Sequence, residues 1–414
     1  MRHTLRLGCQ RKYVLPINVD LLPPALSVAH QQQTGLTRQR QSWDPITKLG
    51  CFISSIHAYH SRPRVADFCW FANSRQRING AESLTESTTI FLTDEDVRNT
   101  FTWDSGVEAL RAAYGTPATE AMFPPRTMAR GDGLWLRTMA GVLPDGSVFG
   151  AKHIAAGIKI GYASYLIPLF DQGSMHLLAL LEANSITGFR TASTSALAAD
   201  HLVNGGPLRV GVIGSGFEAK AHLRALASVR PVESATVFSP NPASRARFIE
   251  ELSDLGIPIT SAESAESAVQ GMNTVICAAR SRDESPTFLG SWMKPGMTVL
   301  SIGSTLPEQR EIGTDAVEMA DVIVSDMPDE VAHDTGDMIA AAKAGVSFED
   351  KMIPLDMVVS GQAKGRTSPE QIVLYKSVGG AIQDLAIAWM CVQRARELNI
   401  GTPLPVSLTP AKKG

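Results

Sequence analysis

Between Leu208 and His222 the chain reads LRVGVIGSGFEAKAH, an apolar run, then small residues, then a helix-forming stretch. Gly214, Gly216 and Ala219 fall at the spacing G-x-G-x-x-A, and each position has its own physical task. Gly214 permits a tight turn, Gly216 lets the backbone approach a pyrophosphate, and Ala219 lets the new helix pack close to the strand. The free N–H groups and positive end of that helix would then face phosphate oxygens. Ser215, Phe217 and Glu218 complete the loop and are read with it as cofactor-contacting positions. Glycines at this spacing also occur in plain turns, so the surrounding elements have to decide.

Val210, Val212 and Ile213 suit a buried parallel strand, and strand-like runs recur at 235–238, 273–278 and 297–302. Residues 242–255 carry Phe248, Ile249, Leu252 and Leu255 at helical spacing. Strands alternating with helices predict an α/β, doubly wound Rossmann-type domain over 201–370. An NAD-specific site places an acid at the end of the second strand. This chain has Phe238-Ser239-Pro240-Asn241 there, with Ser244 and Arg245 following. Ser239, Asn241 and Arg245 would surround a 2′-phosphate with neutral and positive donors, which favours NADP(H) over NAD(H). The alternative for Arg245 is a solvated place on the outer face of its helix.

The 414 residues suffice for two domains, and a net charge of −3 gives no global pull towards nucleic acid or a membrane surface. No apolar run approaches the ~20 residues of a spanning helix. Five cysteines without metal-ligand spacing fit reduced thiols in a cytoplasmic setting, Cys277 and Cys391 being expected buried and inert, and no metal is expected. Residues 1–87 are rich in arginine and poor in acids, with little periodicity, and are expected to form a poorly ordered extension. A transit segment, or sequence from upstream of the true start, are the other readings of that stretch.

Order is expected from the run Thr88-Thr89-Ile90-Phe91-Leu92, with Thr93 capping a helix whose first turn holds Asp94, Glu95 and Asp96. Val107, Leu110, Ala113 and Tyr114 continue at helical spacing. Short apolar runs at 134–142, 150–160, 165–170 and 175–181, separated by Gly, Pro and Asp turns, predict an antiparallel sheet. This second domain is read over 88–200 and 371–414. A small-residue helix at 193–202 would lead into the nucleotide domain, and a long helix at 372–398 would return to the sheet.

Five segments in this order resemble the ornithine cyclodeaminase/mu-crystallin family. They are Ile186-Thr187-Gly188-Phe189-Arg190-Thr191-Ala192-Ser193, the GSGFEAKAH turn, Lys294-Pro295-Gly296, Gly303-Ser304-Thr305-Leu306-Pro307, and Leu374-Tyr375-Lys376-Ser377-Val378-Gly379-Gly380 with the helix after it. The likeness runs from about residue 88 to the C-terminus. It implies use of NAD(H) or NADP(H) on small amino acids or their imines. It also implies a homodimer whose antiparallel-sheet domain carries both the substrate contacts and the dimer interface.

The resemblance further implies that Arg126, Arg190 and Lys152 hold the substrate carboxylate, Lys152 being the candidate catalytic residue. The chemistry is sound: a guanidinium fork fixes the direction of a carboxylate, and a lysine adds a compact charge and a transferable proton. Read without the family, Lys152 interrupts an apolar run and Arg190 stands among small residues near a helix start, where a bare cation would be costly. Lys159, in a similar apolar setting, competes with Lys152 for the role. Where cyclodeaminases carry an aspartate this chain has Thr305, whose hydroxyl is a poor general base and is assigned to substrate binding. Asp337 and Asp384 are read as packing groups.

The expected function is therefore hydride transfer to or from a small, cyclic or open-chain, 2-imino or 2-amino acid. The alternatives are a cyclodeaminase releasing ammonia and a non-catalytic crystallin-like nucleotide binder. The sequence leaves open the substrate side chain and the direction of reaction.

Overall fold

The computed structural model describes residues 88–157, 159–405 and 407–413, so the stretch read as an N-terminal extension lies outside them. The first strand β1 (Ile90–Leu92) leads to α1 (Asp94–Thr100), where Thr93 and Asp96 form a reciprocal capping box. Helix α2 (Trp103–Gly115) follows, with Val107, Leu110, Ala113 and Tyr114 on its buried face. The meander β2 (Thr127–Arg130), β3 (Leu134–Val142), β4 (Val148–Gly157), β5 (Tyr162–Asp171) and β6 (Leu177–Glu182) is antiparallel throughout. β1 then adds to β6 in parallel, which makes the seven-stranded sheet mixed at that edge rather than purely antiparallel.

The second sheet is parallel throughout and has eight strands. They are β7 (Leu208–Ile213), β8 (Val232–Phe238), β9 (Ile259–Ser261), β10 (Thr274–Cys277), β11 (Thr298–Ser301), β12 (Val322–Ser325), β13 (Met352–Pro354) and β14 (Val373–Lys376). The order β9-β8-β7-β10-β11-β14-β12-β13 reverses direction between β7 and β10, the place where such sheets open a crevice for ligands. β7, β10, β11, β12 and β14 are almost wholly buried, and they read as continuous apolar runs for that reason. The short edge strand β15 (Thr402–Pro403) pairs with β1 in the first sheet.

Helix α3 (Asn184–Leu202) joins the two sheets and packs on α2. It also packs on α4 (Phe217–Val229). Being buried on nearly every side, it needs small residues, and its hydroxyls must be satisfied internally. Thr187, Thr191, Thr194 and Ser195 each donate to the carbonyl four residues back. The helix starts at Asn184, well before the 193 read from the sequence, so Arg190 stands in its second turn and not at its start.

Helix α5 (Pro242–Glu251) follows β8. Five short helices complete the parallel-sheet layer: α6 (Ala265–Val269), α7 (Thr314–Met319), α8 (Pro328–Asp334), α9 (Gly336–Lys343) and α10 (Leu355–Val359). The helix expected at 372–398 is a correction. Residues Val373–Lys376 form β14 in the middle of the parallel sheet, and only Ala381–Leu398 is helical, as α11. The return read at 371 therefore falls beyond Lys376. A run as apolar as Ile372-Val373-Leu374-Tyr375 suits a strand buried on both faces as well as a helix, and periodicity alone cannot separate them.

Candidate active site

The loop after β7 carries the expected features. Gly214 has φ +113°, and a Cβ there would lie 2.5 Å from the Ala278 carbonyl oxygen at the end of β10, so only glycine fits. A Cβ at Gly216 would meet nothing within 4 Å, which leaves open space beside the loop. Gly216 is also the N-cap of α4 and gives it no side-chain cap, so the first-turn N–H groups remain available to an anion. Ala219 is fully buried against the core. These observations fit a dinucleotide.

A cleft of about 330 Å³ runs from this loop to the mixed sheet. One wall is made by Glu218, Ala278, Ala279, Gly303 and Thr305 at the strand ends of the parallel sheet, the other by Trp135, Arg137, Ile154, Thr187 and Arg190. Arg137 and Met139 on β3 are cross-strand partners of Ile154 and Lys152 on β4, which puts these four side chains on one face of the sheet.

Lys152 and Arg190 converge on Asp384 of α11. Lys152 Nζ donates to Asp384 Oδ1 at 2.6 Å, with both side chains wholly buried, and Arg190 Nε is 3.1 Å from the same oxygen. Arg190 also donates to Gln383 Oε1 at 2.9 Å, and its guanidinium lies over Gly379, where a Cβ would collide with it. Burial pushes the Lys152 ammonium down to about 8, against the attraction of Asp384. Nζ is 3.4 Å from Thr187 Oγ1, a cleft-wall group. Lys159 is different, an exposed residue paired with the exposed Asp132.

Arg126 is held by Glu330 of α8. Its Nε is 2.8 Å from Glu330 Oε2 and its backbone N–H donates to Oε1 at 2.9 Å. Both terminal nitrogens of Arg126 are buried without a hydrogen-bond partner among the described residues, and the side chain does not line the cleft. Thr305 lines the cleft, its hydroxyl and N–H both donating to Gln309 Oε1. Glu218 lies in the cleft with Oε2 buried and unpartnered, and burial raises its carboxyl to about 7.

Two buried acids brace the strand ends. Glu311 accepts from Ala279 N–H, Gly303 N–H and Ser301 Oγ, tying the loops after β10 and β11 together. Asp337, at the start of α9, accepts from the Glu311 N–H and stands 3.1 Å from Lys376 Nζ, the packing role read for it. Asp326 pins the loop before α11 by accepting from Ser377 Oγ, Val378 N–H, Gly379 N–H and Gln383 Nε2.

At the far end of β8, Asn241 caps α5 by accepting from the Ala243 N–H. Arg245 is buried rather than solvated on an outer face. It donates to the Ser239 carbonyl at 2.8 Å and contacts Glu263 at 3.3 Å. The acid missing from the end of β8 thus arrives from just beyond β9, a contact that strand spacing does not reveal.

Arg137 is not among the expected site residues, and Asp384, expected to pack, instead pairs with Lys152 and Arg190. The available signal for Asp384 was Gln383-Asp384, two polar residues in the first turn of an otherwise apolar helix. For Arg137 it was a cation at the centre of a strand-like run.

Residues 150–399 match the family model described as the ornithine cyclodeaminase/mu-crystallin family. The chain belongs to that family. It is 28% identical to the Thermococcus litoralis Delta(1)-pyrroline-2-carboxylate reductase solved with NADH and L-proline, at a TM-score of 0.70 over 76% of this chain and 100% of that one. It is 26% identical to a Delta(1)-pyrroline-2-carboxylate reductase of Paracoccus denitrificans over 72% of this chain and 94% of the relative. An alanine dehydrogenase of Archaeoglobus fulgidus is 25% identical over 76% of this chain and 98% of its own. Among the described residues, no helix is long and apolar enough to cross a membrane.

Proposed function

We propose that this chain is an NAD(P)H-dependent reductase of small 2-imino acids, or in reverse an amino-acid dehydrogenase, acting on C–N bonds. The observation that carries the reading is a single cleft walled on one side by Glu218, just after the glycine turn, and the strand ends, and on the other by Thr187 and Arg190, with Lys152 against Thr187. The names of the relatives agree with this chemistry.

Gly214 to Ala219 would hold the dinucleotide, which when bound supplies or accepts the hydride. Arg190, which lines the cleft, orients the carboxylate of the substrate, while Arg126 lies outside the cleft lining and is held by Glu330. Lys152 holds a proton one hydrogen bond behind Thr187, and an ammonium poised near 8 can release it close to neutral pH. Asp384 pairs with both Lys152 and Arg190 and aligns them in a site where an unpaired cation would cost several kcal/mol. Thr305 orients substrate or nicotinamide amide by hydrogen bonding and cannot serve as the base that amine loss requires, which disfavours a cyclodeaminase.

For the cofactor we favour NADP(H), supported by Ser239, Asn241 and Arg245 beside the end of β8, although Glu263 already engages Arg245. A homodimer is supported by the outer face of the mixed sheet, where Leu134, Leu136, Tyr162 and Leu166 are 57%, 45%, 78% and 39% exposed. The buried free thiols Cys277 and Cys391 support a reducing, cytoplasmic setting.

Loss of reduced nicotinamide absorbance with a cyclic ketimine carboxylate tests the assignment. Turnover is expected with the parental chain and abolished by Arg190→Ala. Parental turnover in that variant, or ammonia release from ornithine with only catalytic nicotinamide, refutes it.

A further inference from the structure

Arg137 projects from β3 into the cleft, and its position sets it apart from the other cations there. Arg126 has Glu330, Lys152 and Arg190 share Asp384, and Arg280 has Glu284. Arg137 has no carboxylate within ion-pairing distance among the described residues, and its Nε is buried without a hydrogen-bond partner. The indole of Trp135 lies under the guanidinium, with the Arg137 Cζ 5.4 Å from the ring centroid, and restricts the plane of the fork.

Register places it within one small molecule of the carboxylate clamp. Lys152 is opposite Met139, and Arg137 lies two residues back along the same strand, about 7 Å away at strand rise. An anion held by Arg190, in front of the Thr187 hydroxyl that Lys152 backs, therefore leaves Arg137 facing the other end of a short ligand.

We propose that Arg137 binds a second carboxylate on the substrate, so that the preferred ligand is a 2-imino or 2-amino diacid rather than a monoacid. The proposal rests on the imino-acid reading above. A planar fork with a free edge in a partly buried cleft is the group that recognises a carboxylate bidentately, and neutral side chains would leave it unsatisfied. Burial, with repulsion from Arg126, holds the guanidinium down to about 10 and Glu330 opposes this only in part, so a bound anion would relieve a strain already present.

The test is calorimetric binding of amino monoacids and diacids of equal chain length to the full chain saturated with reduced dinucleotide, where no turnover occurs. The parental protein is expected to bind the diacid roughly 10- to 150-fold tighter, the range that loss of a hydrogen bond to a charged group implies. Arg137→Gln should erase that margin by loosening the diacid alone, Arg137→Lys should restore part of it, and unchanged dinucleotide affinity would report an intact fold. Equal parental affinity for both classes overturns the proposal. So does equal loosening of both by Arg137→Gln, which would make Arg137 part of the common clamp. Binding of neither class, with dinucleotide still bound, overturns the imino-acid reading itself and the proposal with it.

Discussion

The two walls of the cleft are built by opposite means. The glycine loop leading to one wall is backbone: a positive-φ turn at Gly214, open space at Gly216 and an uncapped helix end, all within six residues. The cationic wall and the pair buried behind it are side chain: Arg137 and Arg190 come from β3 and α3, Lys152 and Asp384 from β4 and α11, the last two 232 residues apart. A backbone site tolerates almost any side chain that leaves the turn intact. A buried charge cluster tolerates almost no single loss, because each group it loses strands another.

The largest effect should come from breaking that cluster. Asp384→Asn leaves Lys152 and Arg190 buried without their shared anion, and about 3–5 kcal/mol of stability should go, together with at least about 100-fold in turnover. Denaturant unfolding and steady-state kinetics on the same preparation check both numbers. Gly214→Ala attacks the other wall, where the Cβ meets the Ala278 carbonyl at a φ that alanine resists. A strain of about 1–3 kcal/mol predicts dinucleotide affinity weakened roughly 10- to 100-fold by fluorescence titration. Amino-acid binding groups on the opposite wall would be left intact.

The pH profile sharpens the contrast. Imine reduction needs the protonated Lys152, so kcat/KM should be flat below and fall above about pH 8, a limb traced with inert buffers. Asp384→Asn removes the attraction that opposes burial, so the limb of any residual activity should move to lower pH. A limb that stays fixed would place the proton elsewhere. At the edge of the loop wall, Arg245→Ala should cost NADPH about tenfold relative to NADH if the guanidinium meets a 2′-phosphate. No change in the ratio would leave Arg245 with Ser239 and Glu263 alone. Thr305→Val should matter least, less than about tenfold in reduction, since one neutral hydrogen bond is at stake.

Legibility in the sequence followed the same division. The Gly214 loop was readable because its requirements are local, and so were the Thr93 cap and the meander from Leu134, whose spacings repeat over a few residues. β14 lies within the span expected to be helical, because a doubly buried strand carries no alternation to mark it. The packing role read for Asp384 misses its pairing with Lys152 and Arg190, and Arg137 has only its place in a strand-like run to mark it, because the partners and the cleft come from distant segments.

The sequence by itself determined where a phosphate can approach the backbone, since φ preferences and the lack of a Cβ act within one or two residues. It also determined that Arg190 and Lys152 sit in apolar surroundings where a cation needs a partner. Only the tertiary structure decided who the partners are. It gave Asp384 to both, Glu330 to Arg126 and Glu263 to Arg245, and, among the described residues, no paired carboxylate to Arg137. The physical reason is distance: charges act through space over a few ångströms, and the chain brings those pairs together across 18 to 232 residues, where no local spacing records them.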